Sequence, residues 1–550
     1  MVLVLIALSG LARAQSFCGA VAPESTAAAN LLGNGTPGSV STAQIQAALD
    51  AGGVWRFNVG AAPTTIVLGS TLNATRAVVL DGADVVTLSG GGVRRILTIN
   101  NPNPAQNAPH FTVTLQHLAF ADASVSDGVG AAIYKPHGGE YPHKVSLKLS
   151  HCRFSNNLAA LDGTPQDDGG GAFYGELLER IDIGDCVFEN NRGSNGGAVY
   201  SLGSLAVNVV DSDFLANQAI GSGGNPGNGG NAGALGVDGA NRTVDVCRTR
   251  FIDNTSNAFG AGFFSVMYDQ SSRTRFEDVL FRHNRQLNPA GQHSGGAYLQ
   301  DGPWAIERSA FIDNEANGYG GLFVAGNAPG LIRNSTFSGN IARTGLGAAM
   351  ALSTNADIDI VNSTIANNVA TAAFAGGIAI GTPNRLRLTN VILANNSGGN
   401  RWVSWGMNNA AAFDGGGNQQ WPQQRPDGGG AEVPMTASAQ FADPLLAALA
   451  ANGGPTPTHA IPAASAARNG GVGGALVPAV DQRNYPRLGT PIAAPTSTAP
   501  RGCCTRMGLS KRSALHSGPR LRGSAQTLRP TSIIDSRIVS LQRRLYAISI

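Results

Sequence analysis

Charge is scarce in this chain of 550 residues, and lysine is nearly absent from most of it. Asp, Glu, Lys and Arg make up 13% of the residues, and residues 1–490 contain only three lysines. The chain has 38 Lys and Arg against 35 Asp and Glu, but residues 491–550 hold ten of the basic residues and one acid. Residues 1–490 therefore carry 28 basic and 34 acidic side chains, which leaves no basic surface for a nucleic acid.

Long apolar runs and cysteines are also few. After residue 15 no stretch reaches the roughly 18 apolar residues that a membrane-spanning helix requires. The six cysteines are too few for a disulfide scaffold in a chain of this length. Cys152 and Cys186 occupy equivalent places in the repeat described below, and parallel side chains there favour two buried thiols over a disulfide. We expect neither a transmembrane helix nor a disulfide-rich module.

The one marked apolar run lies at the N terminus. Residues 2–11 are mostly apolar and precede Ala12-Arg13-Ala14, a pattern typical of a secretory signal that is cleaved after Ala14. The basic segment that usually opens such a signal is missing, and a buried strand is the alternative. The low charge and the 73 glycines agree with export, so we predict a protein secreted by a bacterium or held on its outer surface.

A degenerate repeat runs from about residue 118 to 396. Each copy has Phe, Ile or Leu, two variable residues and Asn, followed by a turn, a Gly-Gly or Gly-Ala pair and a short apolar run. The closing asparagines are 26 to 37 residues apart, and this period without helical periodicity predicts a β-solenoid with two short strands per repeat. The closing residues are Asn157, Asn191, Asn217, Asn254, Asn284, Asn314, Asn340, Asn368 and Asn396.

Equivalent positions of the repeat are expected to stack about 4.8 Å apart in adjacent coils. The apolar residue three places before each Asn would form an internal stack, and the asparagines a ladder at a turn in left-handed backbone. The residue two places before the Phe is small or uncharged and the one before that is polar, which predicts a strand with one buried face. The stacked residues are Phe154, Phe188, Phe214, Phe251, Phe281, Phe311, Phe337, Ile365 and Leu393.

The regions flanking the repeat differ from it in composition. Residues 41–51 form an amphipathic helix pattern with Ser41 or Thr42 as cap, suited to cover the open end of the first coil. We predict a signal peptide at 1–14, a parallel β-helix with its N-terminal cap at 15–400, a C-terminal cap and anchor-like domain at 401–490, and a disordered basic tail at 491–550.

Two sets of phrases resemble known families. FENN at 188–191 with GGAV at 196–199, and FIDN at 311–314 with GGLF at 320–323, resemble the polymorphic outer membrane proteins of bacterial surfaces. Residues 40–400 resemble the right-handed parallel β-helix of pectate-lyase-like proteins, with a similar cap at 45–53. Residues 443–461 and 481–487 resemble the choice-of-anchor domain of exported bacterial β-helix proteins, without its usual acidic end. The resemblance implies an all-β, right-handed parallel β-helix.

Three inserts, 158–169, 218–232 and 285–294, lengthen the repeat between its Asn and its Gly pair. Inserts at one phase of a solenoid emerge on one side, so we predict the functional face there. Tyr174, Tyr200, Tyr268 and Tyr298 follow the Gly pairs at related phases and are predicted to line one sheet.

Asp167 and Asp168 are the catalytic candidates. A glycoside hydrolase needs two carboxyl groups, which makes a pair of aspartates a candidate. Asp167 and Asp168 precede Gly170-Gly171 and resemble the paired aspartates of polygalacturonases. The Asn-Thr-Asp, Gly-His-Gly and Arg-Ile-Lys motifs that accompany them in that family are absent here. A solvated loop pair is the alternative.

Asp185, Asp211, Arg248 and Asp278 are the binding candidates. They share the polar position three places before the Phe and would form an outward stripe near the inserts. Such a stripe suits an anionic glycan, with Ca²⁺ as the one candidate ion, or is a solubilising face of neighbouring unlike charges. His137 and His143 flank Glu140 too widely, in a loop, to predict zinc.

These features favour an exported β-helix monomer that acts in adhesion or surface interaction without catalysis. A cell-surface protein or a polysaccharide would be the partner, and no cofactor or nucleic acid is expected. The alternative is a polysaccharide lyase or glycoside hydrolase that acts on an anionic polysaccharide.

Overall fold

Each repeat folds into one coil of a parallel β-helix, which confirms the predicted all-β class. The computed structural model describes residues 17–487 except 104, 139–140, 161–166, 224–228, 240–242, 269–270, 292 and 401. Each regular coil contributes four short strands, which pair in parallel with their counterparts in the next coil. The predicted two strands per repeat were therefore wrong. The predicted signal peptide and basic tail lie outside the described residues.

Sheet A takes two consecutive strands from every regular coil. The first strands are Val145–Ser150, Arg180–Gly184, Ala206–Val210, Thr243–Cys247, Arg273–Glu277, Trp304–Glu307, Gly330–Arg333, Ile358–Val361 and Leu386–Thr389. The second strands are Arg153–Ser155, Val187–Glu189, Asp213–Leu215, Arg250–Ile252, Leu280–Arg282, Ala310–Ile312, Thr336–Ser338, Thr364–Ala366 and Ile392–Ala394. The strands at its ends are Asn30–Leu32, Gly53–Phe57, Thr64–Val67, Val78–Ser89, Phe111–Ala121, Phe413–Asp414, Gln419–Trp421 and Gln440–Phe441.

Sheets C and B complete each coil after the second strand of sheet A. Sheet C consists of Ser124–Val125, Leu158–Ala159, Arg192–Gly193, Gln218–Ala219, Thr255–Ser256, Arg285–Gln286, Glu315–Ala316, Ile341–Ala342, Val369–Ala370 and Ser397–Gly398. Sheet B consists of Leu72–Ala74, Leu97–Ile99, Ile133–Lys135, Phe173–Glu176, Val199–Leu202, Leu235–Gly239, Phe263–Met267, Ala297–Gln300, Leu322–Ala325, Met350–Leu352 and Ile378–Ile380. A short antiparallel pair, Leu449–Ala450 with Thr458–His459, follows the solenoid.

Left-handed residues at two phases explain why the coil has four strands. The polar residue three places before each Phe has positive φ, for example 52° at Asp185 and 48° at Arg248. It ends the first strand of sheet A, so the prediction that it lies on a strand with one buried face was wrong. The residue before each ladder Asn is also left-handed, as at Asn156 with φ 57°, while the ladder residue itself is not among the positive-φ residues.

The predicted internal stack is present and lies at the centre of the core. Phenylalanines of successive coils stack nearly parallel, with ring centroids 4.5–5.0 Å apart from Phe120 to Phe337. Phe281 is fully buried and stacks on both Phe251 and Phe311. Cys152 and Cys186 are free and buried in adjacent coils, as predicted.

The predicted asparagine ladder is also present, and each rung donates hydrogen bonds in both directions. The backbone N–H and the Nδ2 of Asn284 both donate to Oδ1 of Asn314 in the next coil, at 3.1 and 2.9 Å. Its Nδ2 also donates to the carbonyl of Phe251 in the previous coil, at 2.8 Å. The rungs from Asn157 to Asn368 are fully buried, so these bonds satisfy polar groups that have no access to water.

The helix predicted at the N-terminal end is confirmed. It spans Thr42–Ala51, with Ser41 as N-cap in a capping box with Gln44. Ile45, Ala48 and Leu49 are buried in the same core as the first coils. The helix therefore covers the apolar end of the solenoid, which would otherwise face water.

The N-terminal segment, residues 17–24, runs back over the outer face of sheet A. A disulfide ties Cys18 to Cys247, 229 residues later, which sequence reasoning did not predict. Further contacts are Phe17 N–H to a Glu277 carboxylate, Ser150 Oγ to the Val21 carbonyl, and Lys148 to Glu24. This segment, called here the N-terminal strap, therefore crosses several coils of sheet A.

The chain after the solenoid returns over the later coils of sheet A. Gln482 packs beside Thr336, whose hydroxyl donates to it at 2.8 Å, and Asn334 Nδ2 donates to the Val480 carbonyl at 2.9 Å. His459 is buried and its ring nitrogens pair with Ser338 Oγ at 2.9 Å and the Ala447 carbonyl at 2.7 Å. Residues 456–487 thus form a C-terminal cover on sheet A.

Replacing Phe281 by Ala should lower the free energy of unfolding by about 3–5 kcal/mol, because it opens a cavity between two stacked rings. Phe413→Ala is the matched control, since that ring is 43% exposed and should cost less than about 1 kcal/mol. Urea unfolding of both variants measures the difference. Equal losses in the two variants would contradict the stack.

Acid should loosen the C-terminal cover. Burial lowers the pKa of His459 from its ordinary 6.5, so as pH falls below that value the unfolded chain binds the proton more readily than the folded one. Stability contributed by this site is present above pH 6.5 and is lost on acidification. Melting temperatures measured from about pH 7 to about pH 5 should fall more steeply for the wild type than for His459→Gln. Parallel curves would show that His459 is not responsible.

Candidate functional site

An aromatic column runs along the outer face of sheet B. Strand alternation turns residues such as Ile133 and Phe173 into the core and their neighbours outward. Successive rings lie 5.8 Å apart at Tyr134 and Tyr174, and 6.1 Å apart at Tyr174 and Tyr200. Parallel register aligns Tyr134, Tyr174, Tyr200, Gly236, Phe264, Tyr298 and Phe323.

Glycine at position 236 gives room for this column to continue. A Cβ at Gly236 would lie 2.5 Å from the ring of Tyr200. Tyr200 therefore leans over the next coil, where a larger residue would displace it. Three of the four tyrosines predicted to line one sheet belong to the column, whereas Tyr268 follows the strand end and is 46% exposed.

Carboxylates flank the tyrosines two residues further along the same face. The hydroxyl of Tyr134 donates to Glu176 Oε1 at 3.4 Å, and that of Tyr200 donates to Asp238 Oδ2 at 3.3 Å. Lys135 Nζ donates to the backbone carbonyl of Glu176 at 3.0 Å. Phenol and carboxylate groups of neighbouring coils are thus held together by the register of the sheet.

The structure adds the two catalytic candidates to this group. Asp167 and Asp168 are half-buried at the end of the first insert, beside the bend that begins the sheet-B strand. The Asp168 carbonyl accepts from both the backbone N–H and the Nδ2 of Asn195, at 3.0 Å each. Both carboxylates act electrostatically on Tyr174, and Asp167 also acts on Tyr200. We call Tyr134, Asp167, Asp168, Tyr174, Glu176, Tyr200 and Asp238 the sheet-B cluster.

Burial shifts the protonation of this cluster. It raises the pKa of Asp167 above the ordinary 3.8, because a charged carboxylate loses hydration there. Burial also raises the pKa of Glu176, against opposing effects of the His137 backbone and the Lys135 charge. The tyrosine pKa values are raised as well, first by burial and then by the carboxylates. The cluster therefore combines acids that hold a proton to higher pH with neutral phenols.

The four binding candidates lie at a different corner of the coil. Asp185, Asp211, Arg248 and Asp278 occupy the left-handed turn between the two strands of sheet A. Arg248 donates to both carboxylate oxygens of Asp211 at 2.6 and 2.8 Å, and Arg308 Nε donates to Asp278 at 2.9 Å. The expected position near the inserts was wrong, because the second strand of sheet A separates this turn from sheet C and the inserts. Their role in binding remains a prediction.

The three inserts leave the coil on one side, as predicted. Each begins with a sheet-C strand and ends a few residues before the next sheet-B strand. Asn288 Nδ2 of the third insert donates to the Ser222 carbonyl of the second at 3.2 Å, so these two meet. Residues 161–166, 224–228 and 292 lie outside the description. The inserts therefore border the sheet-B cluster rather than the stripe on sheet A.

Sequence reasoning missed Tyr134, Glu176 and Asp238. The available signal was the alternation FYGE at 173–176, in which Tyr174 and Glu176 share the face opposite Phe173. Glu140, which lies between His137 and His143 in the sequence, is outside the described residues. In the described part of the chain no three or more His, Cys, Asp or Glu side chains are placed to hold a metal ion, and no helix there has the length and apolarity to span a membrane.

No protein-family model matches this chain, and no curated protein matches it. Among solved structures it is similar to tailspike protein 3 of bacteriophage CBA120, at 9% identity and a TM-score of 0.41, over 75% of this chain and 58% of the tailspike. It is also similar to the A-module of the mannuronan C-5 epimerase AlgE4 of Azotobacter vinelandii, at 12% identity and a TM-score of 0.28, over 70% and 96% of the two chains. At these scores neither structure assigns a ligand or reaction here. The resemblances to polymorphic outer membrane proteins and to the anchor domain remain predictions.

Replacing Asp167 by Asn should stabilise the protein most at neutral pH. Its raised pKa means that the folded state binds the proton more tightly, so stability falls as pH rises through 3.8 and stays lowered above the folded pKa. The variant has no such group and should gain in melting temperature relative to the wild type from about pH 3.5 to about pH 7. Exposed Asp122→Asn is the control. A gain that is independent of pH would contradict the role of burial.

Proposed function

We propose that this chain is an exported bacterial β-helix protein that binds a polysaccharide on the outer face of sheet B, in adhesion or surface interaction without catalysis. The observation that carries the proposal is the sheet-B cluster, in which half-buried Tyr134 and Glu176 are hydrogen-bonded across neighbouring coils. Carboxylates accept hydrogen bonds from sugar hydroxyls, and aromatic rings pack against the apolar faces of sugar rings.

The position of the cluster supports the same function. The N-terminal strap and the C-terminal cover both pack on sheet A, which leaves the side with sheet B and the inserts for a partner. Equivalent outward positions recur in every coil about 4.8 Å apart along this sheet. Tyr174 and Tyr200 are 3% and 1% exposed and belong to a buried apolar layer on this face. A glycan would therefore contact the half-buried side chains beside that layer, Tyr134 and Glu176.

The disulfide between Cys18 and Cys247 supports export. Disulfides form and persist in oxidising compartments and are rare in the cytosol. The predicted signal at 1–14 ends four residues before Cys18. Secretion or display on the outer surface of the cell, as a monomer, accounts for both features.

Cleavage of the polysaccharide is the second candidate function. A glycoside hydrolase uses one protonated and one ionised carboxyl group on either side of the scissile bond. Asp167 and Glu176 both have raised pKa values in the same cluster, which favours one of them as the acid. Binding alone explains the cluster with fewer requirements, so cleavage is the alternative that the experiment must separate.

Affinity electrophoresis of the full chain against pectin, alginate, glycosaminoglycans and neutral glucans tests the proposal. Tyr134→Ala and Glu176→Gln should each weaken binding of the recognised glycan at least about tenfold, since each loses a contact worth roughly 1.4 kcal/mol or more. Asp211→Asn is the matched control on sheet A and should bind normally. Loss of binding in Asp211→Asn alone would place the site at the sheet-A corner and overturn the proposal.

Two further measurements define the activity and the ion. Release of reducing ends or of unsaturated products by the wild type, and its loss in Asp167→Asn, would establish the catalytic alternative. Binding that disappears with a chelator and returns with Ca²⁺ would establish a role for this candidate ion. We expect no product, and the same affinity with and without chelator.

Replacing the parts of the inserts that follow their sheet-C strands, residues 160–168, 220–231 and 287–293, by four-residue Gly/Ser turns should leave the fold intact, because shorter loops close at lower entropic cost. Binding should be abolished, since the first insert supplies Asp167 and Asp168. Circular dichroism checks the fold and affinity electrophoresis the binding. A folded variant with unchanged affinity would show that the functional face lies elsewhere.

A further inference from the structure

A cleft of about 590 Å³ lies at the C-terminal end of the asparagine ladder. This volume falls within the roughly 300–1,000 Å³ of small-molecule sites. It is separate from the sheet-B cluster, and none of its lining side chains is charged. The lining residues are Asn395, Asn396, Ser397, Trp405, Trp421, Pro422, Gln423, Gln424 and Pro426.

The ladder stops at the wall of this cleft. In the eight rungs from Asn157 to Asn368 the backbone N–H donates to Oδ1 of the next rung. Register aligns Ala394 with Trp421, so Gln423 takes the place of the rung after Asn396. No residue in the described part of the chain accepts from the backbone N–H of Asn396. That donor belongs to a residue only 4% exposed, and the residue lines the cleft.

The Asn396 side chain presents a second donor at the same place. Its Nδ2 donates to the Ile365 carbonyl at 2.9 Å, as every earlier rung donates backward. In the earlier rungs the other Nδ2 hydrogen also binds Oδ1 of the next rung, for example at 2.9 Å from Asn368 to Asn396. At Asn396 neither forward bond is made within the described residues. One oxygen atom placed in the cleft would accept hydrogen bonds from both the backbone N–H and the Nδ2 of Asn396. Asn396 Oδ1 accepts the two equivalent bonds from Asn368.

Two indole rings form apolar walls around this position. Trp405 is held by Nε1, which donates to the Asn400 carbonyl at 3.2 Å, and by its backbone N–H, which donates to the Glu432 carboxylate at 2.9 Å. Trp421 lies on the strand that pairs with Ile392–Ala394. Its ring packs against a buried apolar cluster that includes Ile392 and Ala394. Both rings are half-buried, so they are positioned before a ligand arrives.

We propose that this cleft binds a neutral sugar residue of a glycan. A sugar hydroxyl oxygen would accept from the backbone N–H and Nδ2 of Asn396, and the apolar faces of the ring would pack on Trp405 and Trp421. Gln423 and Gln424 offer carboxamides for further hydroxyls. Among the described residues no cation lines the cleft, which disfavours uronate or sulfate groups there. The site goes beyond the proposed function and does not depend on it.

Tryptophan fluorescence and calorimetry of the full chain with neutral gluco-, manno- and xylo-oligosaccharides test this proposal, with oligogalacturonate as the anionic comparison. We expect neutral oligosaccharides to bind and Trp421→Ala to weaken binding at least about tenfold. Trp402→Ala is the matched control, because that ring is 80% exposed and does not line the cleft. It should bind like the wild type.

Gln423→Asn is the second variant, and it also serves if Trp421→Ala does not fold. Its shorter carboxamide should act as a tenth rung, accept from Asn396, raise the melting temperature and abolish sugar binding. Full affinity in Gln423→Asn, no binding of any neutral oligosaccharide by the wild type, or preference for oligogalacturonate would each overturn the proposal. Loss of binding to the sheet-B glycan by Tyr134→Ala leaves this test unaffected.

Discussion

The fold depends on the buried asparagine ladder. Each rung places an amide where water cannot reach it, and a buried donor without a partner costs roughly 1–3 kcal/mol. The next coil supplies the acceptor, so each coil satisfies the polar groups of the one before it. The phenylalanine stack adds apolar contact along the same axis. Stability is therefore local to neighbouring coils, as in other solenoids.

At each end of such a solenoid the last coil has no neighbour to cover its apolar surface or accept its hydrogen bonds. The two ends of this chain differ in how these groups are satisfied. The helix Thr42–Ala51 covers apolar surface at the first coils. At the other end the ladder breaks off against Gln423, and an uncharged cleft with two indole walls lies there. Sheet A is covered by the N-terminal strap at its earlier coils and by the C-terminal cover at its later ones. The outer face of sheet B, with the inserts beside it, is the side that neither segment covers.

The core was predictable because each of its residues recurs with its neighbours along the chain. Phe188 and Asn191 mark one coil by their spacing. The same spacing in the neighbouring coils shows which residues stack on them. The turn at Asp185 was not predictable from the sequence. Asp, Arg, His and Asn all occupy this left-handed position in different coils, whereas glycine is the residue that usually indicates positive φ. The sheet-B cluster needed the register: coils differ in length by up to eleven residues, so the sequence does not show that Tyr200 meets Asp238. The Cys18–Cys247 bond spans 229 residues and belongs to no repeat.

The N-terminal strap also changes how the molecule carries mechanical load. A solenoid pulled from its first residue would peel open one coil at a time, breaking few hydrogen bonds in each step. Here the covalent link at Cys18 passes tension directly to Cys247, in the middle of the stack. The coils between the helix and the disulfide then carry no tension. The coils that hold the sheet-B cluster lie before Cys247 and would stay folded while the chain is pulled from Cys18.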